Sequence, residues 1–109
     1  MKHKFKPPAV GVYGQARETG VMGKGVSGVV GEGDGDGGLG VLGRGSQYGG
    51  YFAGGQAQIV LEPSLQAGPP TSGVHLPGEL FFDINRNLFL CVDNADPAGT
   101  WKKVSLVDP

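Results

Sequence analysis

Apolar side chains return in two different rhythms along this chain. From Gly11 they come in pairs held between glycines: Gly11-Val12-Tyr13-Gly14, Gly20-Val21-Met22-Gly23, Gly28-Val29-Val30-Gly31 and Gly40-Val41-Leu42-Gly43, with Gly49-Gly50-Tyr51-Phe52 as a degenerate fifth unit. A β-branched residue followed by a second large apolar group favours extended backbone, and the flanking glycines permit a bend or the close approach of another backbone. Each unit therefore predicts a very short strand and a corner. From Gln56 onward the apolar residues gather into longer runs. Gln56-Ala57-Gln58-Ile59-Val60-Leu61 predicts a strand, ended by Glu62-Pro63-Ser64, and a Pro/Gly-bearing loop follows to Gly73.

The clearest local signal is a hairpin. Gly78-Glu79-Leu80-Phe81-Phe82-Asp83 and Leu88-Phe89-Leu90-Cys91-Val92-Asp93 flank the polar turn Ile84-Asn85-Arg86-Asn87. Both runs are apolar at consecutive positions, which predicts that both faces of their sheet are covered. A loop through Asp96-Pro97-Ala98-Gly99 leads to a last predicted strand, residues 101–107, opened by Trp101, the only tryptophan. No segment has a sustained helical period, so the expected class is all-β. The expected division is an N-terminal arm at 1–10, a repeat shaft at 11–55 and a hairpin head at 56–109.

Composition sharpens the contrast. Of 22 glycines, 18 lie between Gly11 and Gly55. That stretch carries only 13 large apolar side chains, too few to offset the ordering of so glycine-rich a backbone within one chain. Several copies wound about one axis would relieve the shortfall: short strands bond to neighbouring chains, valines meet their symmetry mates, and glycine lets backbones crowd together. Val12, Val21, Val29, Val41 and Phe52 are then the expected shared core. A single-chain solenoid fits less well, because successive units start 9, 8, 12 and 9 residues apart.

Several alternatives fall away. Collagen needs glycine at every third position with abundant proline, and the glycine phase breaks at once here. The stretch 31–38 places Glu32, Asp34 and Asp36 among glycines, but no window matches the calcium-binding nonapeptide repeat, so a solvated turn is expected. Nine basic residues against ten acidic leave a net charge of −1, which disfavours nucleic acid as a partner. No apolar run approaches the ~20 residues of a membrane-spanning helix, and the basic start Met1-Lys2-His3-Lys4 lacks the apolar run of a signal peptide. The lone Cys91 excludes an intramolecular disulfide and, within LFLCV, is expected as a small buried hydrophobe.

The hairpin residues, followed by Pro97-Ala98-Gly99-Thr100-Trp101-Lys102-Lys103-Val104, resemble a C-terminal module of phage tail-fibre proteins, found also in bacterial proteins of unassigned role. The Gly-Val-x-Gly units resemble the repetitive shaft that often precedes it. The likeness covers about residues 11–107. It implies an intertwined homotrimer with a Gly-rich, triple-stranded β-helix-like shaft and a small antiparallel β head, set on a virion or cell surface. One departure is Arg86, which stands where that turn usually has glycine and leaves the turn type open.

Function follows in order of support. The first expectation is a non-catalytic trimerisation stalk and cap of a fibre or surface-attachment protein, with no cofactor or metal. The second is a head that binds a surface glycan or receptor, for which Tyr48, Tyr51 and Trp101 offer stacking faces and His75 a polar contact. The third and weakest is a small hydrolase using His75 with Ser72 or Cys91, since no nucleophile elbow, triad order or metal-ligand spacing accompanies them.

Overall fold

A computed structural model describes residues 11–109; the N-terminal arm, residues 1–10, lies outside the described residues. The fold is all-β, with no helix among the described residues. Strands β1 (Leu80–Phe82), β2 (Leu88–Asp93) and β3 (Thr100–Lys103) form one antiparallel sheet in the order β1-β2-β3. Two compact units divide the chain, Met1–Gly50 and Tyr51–Pro109.

The hairpin forms where the apolar runs place it, in the register Leu80↔Leu90, Phe81↔Phe89 and Phe82↔Leu88. Its turn is closed by two backbone bonds: Arg86 N–H donates to Asp83 O and Asp83 N–H donates to Asn87 O, each at 3.0 Å. This is a type I turn followed by one left-handed residue, a common three-residue hairpin connection. Arg86 is that residue, with φ of 65°. Arginine thus takes up the conformation for which glycine is the usual choice.

β3 pairs with β2 through Phe89↔Lys103, Leu90↔Lys102 and Cys91↔Trp101, with a bulge between Cys91 and Asp93. Alternation along the strands puts Phe81, Phe89, Cys91 and Trp101 on one face and Leu80, Phe82, Leu88 and Leu90 on the other. The loop before β1 packs on the first face, where His75 meets the Trp101 ring. On the second face Leu80 stays 58% exposed, whereas Phe82, Leu88 and Leu90 are half-buried. Within a single chain both faces are thus covered in part, since Phe81, Phe89 and Trp101 of the first face are half-buried as well. The fully buried side chains of the head are few: Cys91, Ala98 and the polar Asp83.

Two strand expectations also need correction. Residues 56–61 form no strand: they make no backbone hydrogen bond among the described residues, and Ile59 and Val60 are exposed. Apolar content alone cannot make a strand without a ladder partner. The last strand ends at Lys103 instead of 107, because after Val104 N–H reaches Leu88 O the chain leaves the edge of β2.

In the glycine-rich half, no strand forms and every residue from Gly11 to Glu62 is exposed. The only backbone hydrogen bond there among the described residues joins Gly38 N–H to Gly35 O. What does recur is a close meeting of glycines. The last glycine of one unit lies against the first of the next: Gly14 with Gly20, Gly23 with Gly28, Gly31 with Gly40 and Gly43 with Gly49. A Cβ on Gly23 or Gly31 would sit 2.2 Å from the partner's carbonyl oxygen. Residues 15–19, 24–27, 32–39 and 44–48 are thereby gathered into loops, each closed at a glycine neck.

Candidate functional site

Two side-chain clusters organise the head. The first centres on Asp83, which begins the hairpin turn and is only 1% exposed. Its Oδ1 accepts the N–H groups of Asn85 (3.0 Å) and Asn87 (2.8 Å), and its Oδ2 accepts that of Gly68 (2.8 Å). The first two bonds follow from an aspartate at the opening of a turn. The third ties in a segment fifteen residues upstream, which Ser64 N–H to Phe82 O and Ile84 N–H to Gln66 O also hold beside β1. Burial pushes the Asp83 carboxyl up, but the N–H groups of Gly68, Asn87 and Asn85, with the charge of Lys103, outweigh it and hold it below its ordinary value.

The second cluster lies over Trp101. His75 Nδ1 is 2.8 Å from Glu79 Oε1 and Nε2 is 2.8 Å from the carbonyl oxygen of Ser72. Both ring nitrogens face acceptors, so the imidazolium, donating twice, is the form that fits. The bond to Glu79, then that to Ser72, raises the His75 pKa above its ordinary 6.5, with burial opposing. Glu79 is held below its ordinary value by the His75 bond first and the Leu76 N–H second. The His75 ring meets Trp101 edge-on at 5.4 Å between centroids, and Phe81 does so at 6.3 Å. Trp101 Nε1–H donates to Ala98 O at 2.8 Å.

Of the expected ligand contacts, the structure brings together His75 and Trp101. Tyr48 and Tyr51 are exposed, and neither ring pairs with another aromatic ring among the described residues. Trp101 has its indole N–H satisfied, packs in T-shaped geometry with two rings and is half-buried, so packing occupies part of its surface. The expected core residues Val12, Val21, Val29, Val41 and Phe52 are all exposed in the single chain, Val12 at 84%.

The geometry does not assemble a nucleophile-base pair. Ser72 offers His75 its carbonyl, not its hydroxyl, and the buried Cys91 Sγ donates to Asp93 O at 3.2 Å. No group of three or more His, Cys, Asp or Glu side chains able to hold a metal ion occurs among the described residues, and no helix there is long and apolar enough to cross a membrane. Sequence reasoning missed Asp83, although an aspartate directly before Ile-Asn-Arg in a hairpin turn was a signal for it. No protein-family model, curated protein or solved structure matches this chain.

Proposed function

We propose that this protein is a structural element that associates with copies of itself, three chains winding their glycine-rich halves into a β-helix-like stalk capped by the small heads. The observation that carries the reading is the state of residues 11–62. They repeat one local geometry, the glycine neck, yet they bury no side chain and make a single backbone hydrogen bond among themselves. A regular conformation with neither apolar burial nor internal bonding needs an outside partner to hold it. Valines at the second position of each full unit, 65–84% exposed, are the surface such a partner covers. The head too leaves apolar surface open within one chain, at Leu80, which fits the same arrangement. The number three rests on the resemblance to tail-fibre shafts.

Mass measurement in solution by sedimentation or light scattering tests the reading. The expected result is a species of three chains that persists on dilution to micromolar concentration. A folded single chain with dispersed, protected amides throughout residues 11–62 would overturn it.

A further inference from the structure

At the turn end of the head sheet, Arg86, Asn87 and Leu88 face Lys103, Val104, Ser105 and Leu106 across an open cavity of about 390 Å³. Two cations, one amide and one hydroxyl share this cavity with three aliphatic side chains. The only ion pair among the described residues joins His75 and Glu79, and residues 1–10 contain no acidic side chain, so neither Arg86 nor Lys103 has a carboxylate in salt-bridge contact. Asp83 feels the charge of Lys103 but has its oxygens engaged by three backbone N–H groups. Arg86 donates from one of its guanidinium nitrogens to Ile84 O, which orients the group, and its other donors have no partner among the described residues.

A second observation points to the same residue. Arg86 is the only non-glycine with a positive φ among the described residues. A side chain in the left-handed region is disfavoured, and such positions persist where the side chain has a use. Glycine would serve the turn better and arginine serves the cavity.

We propose that this cavity binds an acidic sugar unit, one carrying a carboxylate on a ring with an apolar face, such as a uronic or sialic acid at the end of a glycan. Arg86 takes the carboxylate through its planar fork and Lys103 adds a point charge. Asn87 and Ser105 hydrogen-bond ring hydroxyls, and Leu88, Val104 and Leu106 receive the apolar face of the ring. The volume lies near the lower end of ligand pockets and suits a single sugar unit, while the open mouth leaves room for the glycan to continue outward. This site is separate from the Trp101 cluster, and the proposal does not depend on self-association.

Titration of the protein with sialic acid and with glucuronic acid, by calorimetry and by amide chemical-shift mapping, tests it. The expected result is saturable binding of at least one of them with Kd on the order of 1 mM, shifts centred on residues 86–88 and 103–106, and weakening with added salt. Arg86→Gly, which suits the turn and keeps the head folded, is expected to weaken binding about tenfold or more. Lys103→Gln is expected to do the same. Galactose is expected to bind at least about tenfold more weakly than the better acid. Absence of binding, undiminished binding by Arg86→Gly, or shifts elsewhere in the head would overturn the site, and sulfate binding as tightly as the sugar acids would overturn the sugar assignment.

Discussion

Gly31 and Gly40 meet backbone against backbone across the loop formed by residues 32–39. A Cβ on Gly31 would lie 2.2 Å from Gly40 O and 2.8 Å from a methyl carbon of Val41. No rotamer change relieves a contact with a carbonyl, so the neck tolerates nothing larger than glycine. Gly31→Ala is expected to destabilise the glycine-rich half by about 2 kcal/mol or more. Gly35→Ala, in the same loop with nothing within 4 Å, is expected to be within about 0.5 kcal/mol of neutral. Thermal melts of the two variants beside the parent check the contrast.

Asp83 is the polar centre of the head. Replacing it by alanine strands the N–H groups of Gly68, Asn85 and Asn87 and removes the bond between the turn and the upstream loop. The melting temperature of the head is expected to fall by about 10 °C or more. Asn is also expected to destabilise, because its amide nitrogen faces donors. Amide exchange at Gly68 offers a local measurement: in Asp83→Ala it should quicken with the turn amides.

His75 and Glu79 set a pH window. The His75 pKa is raised in the folded protein, so its contribution is fully present below the ordinary 6.5 and is lost as pH rises through the folded value. Glu79 works in the opposite sense. Its folded pKa is lowered, so its contribution is present above the ordinary 4.5 and is lost as pH falls through the folded value. Stability from the pair is therefore greatest between the two ordinary values, 4.5 and 6.5, and declines on either side towards the folded values. Melting temperatures from pH 5.5 to 8.5 should decline more steeply in the parent than in His75→Gln, and the fluorescence of Trp101, edge-on to His75, should titrate with the same midpoint.

Gly99 sits beside Cys91, Asp93 and His75, with φ of 81°. A Cβ there would come within 3.0 Å of Cys91 Sγ and 3.3 Å of His75 Cβ. Strain and crowding act together, and Gly99→Ala is expected to cost about 1–3 kcal/mol. Denaturant midpoints at pH 6 provide the measurement.

Arg86→Gly should move stability the other way. Removing the side chain from a left-handed residue is expected to stabilise the head by about 1 kcal/mol. The midpoint in urea should rise while the denaturant slope is unchanged.

The hairpin was legible because its information is local: two apolar runs and a polar turn fall within sixteen residues, and β2 spans Leu88–Asp93 as its run indicated. Residues 56–61 misled because Ile59, Val60 and Leu61 have strand character but no pairing partner in this chain. The glycine necks were half legible. The framing of each valine by glycines marked where backbones come close, but not which glycine meets which, since the unequal spacing conceals the pairing. Asp83 and His75 gather partners from separated segments, Gly68 for one and Trp101 for the other, and no periodicity records such meetings.

The four necks separate two properties that most folds keep linked. Where one valine-bearing unit ends and the next begins is decided at the glycine contact, whereas the number of residues looped out between them varies freely from 24–27 to 32–39. Insertions beyond a neck can therefore accumulate or disappear without shifting the repeat. The side of the molecule can diversify while its stride stays constant.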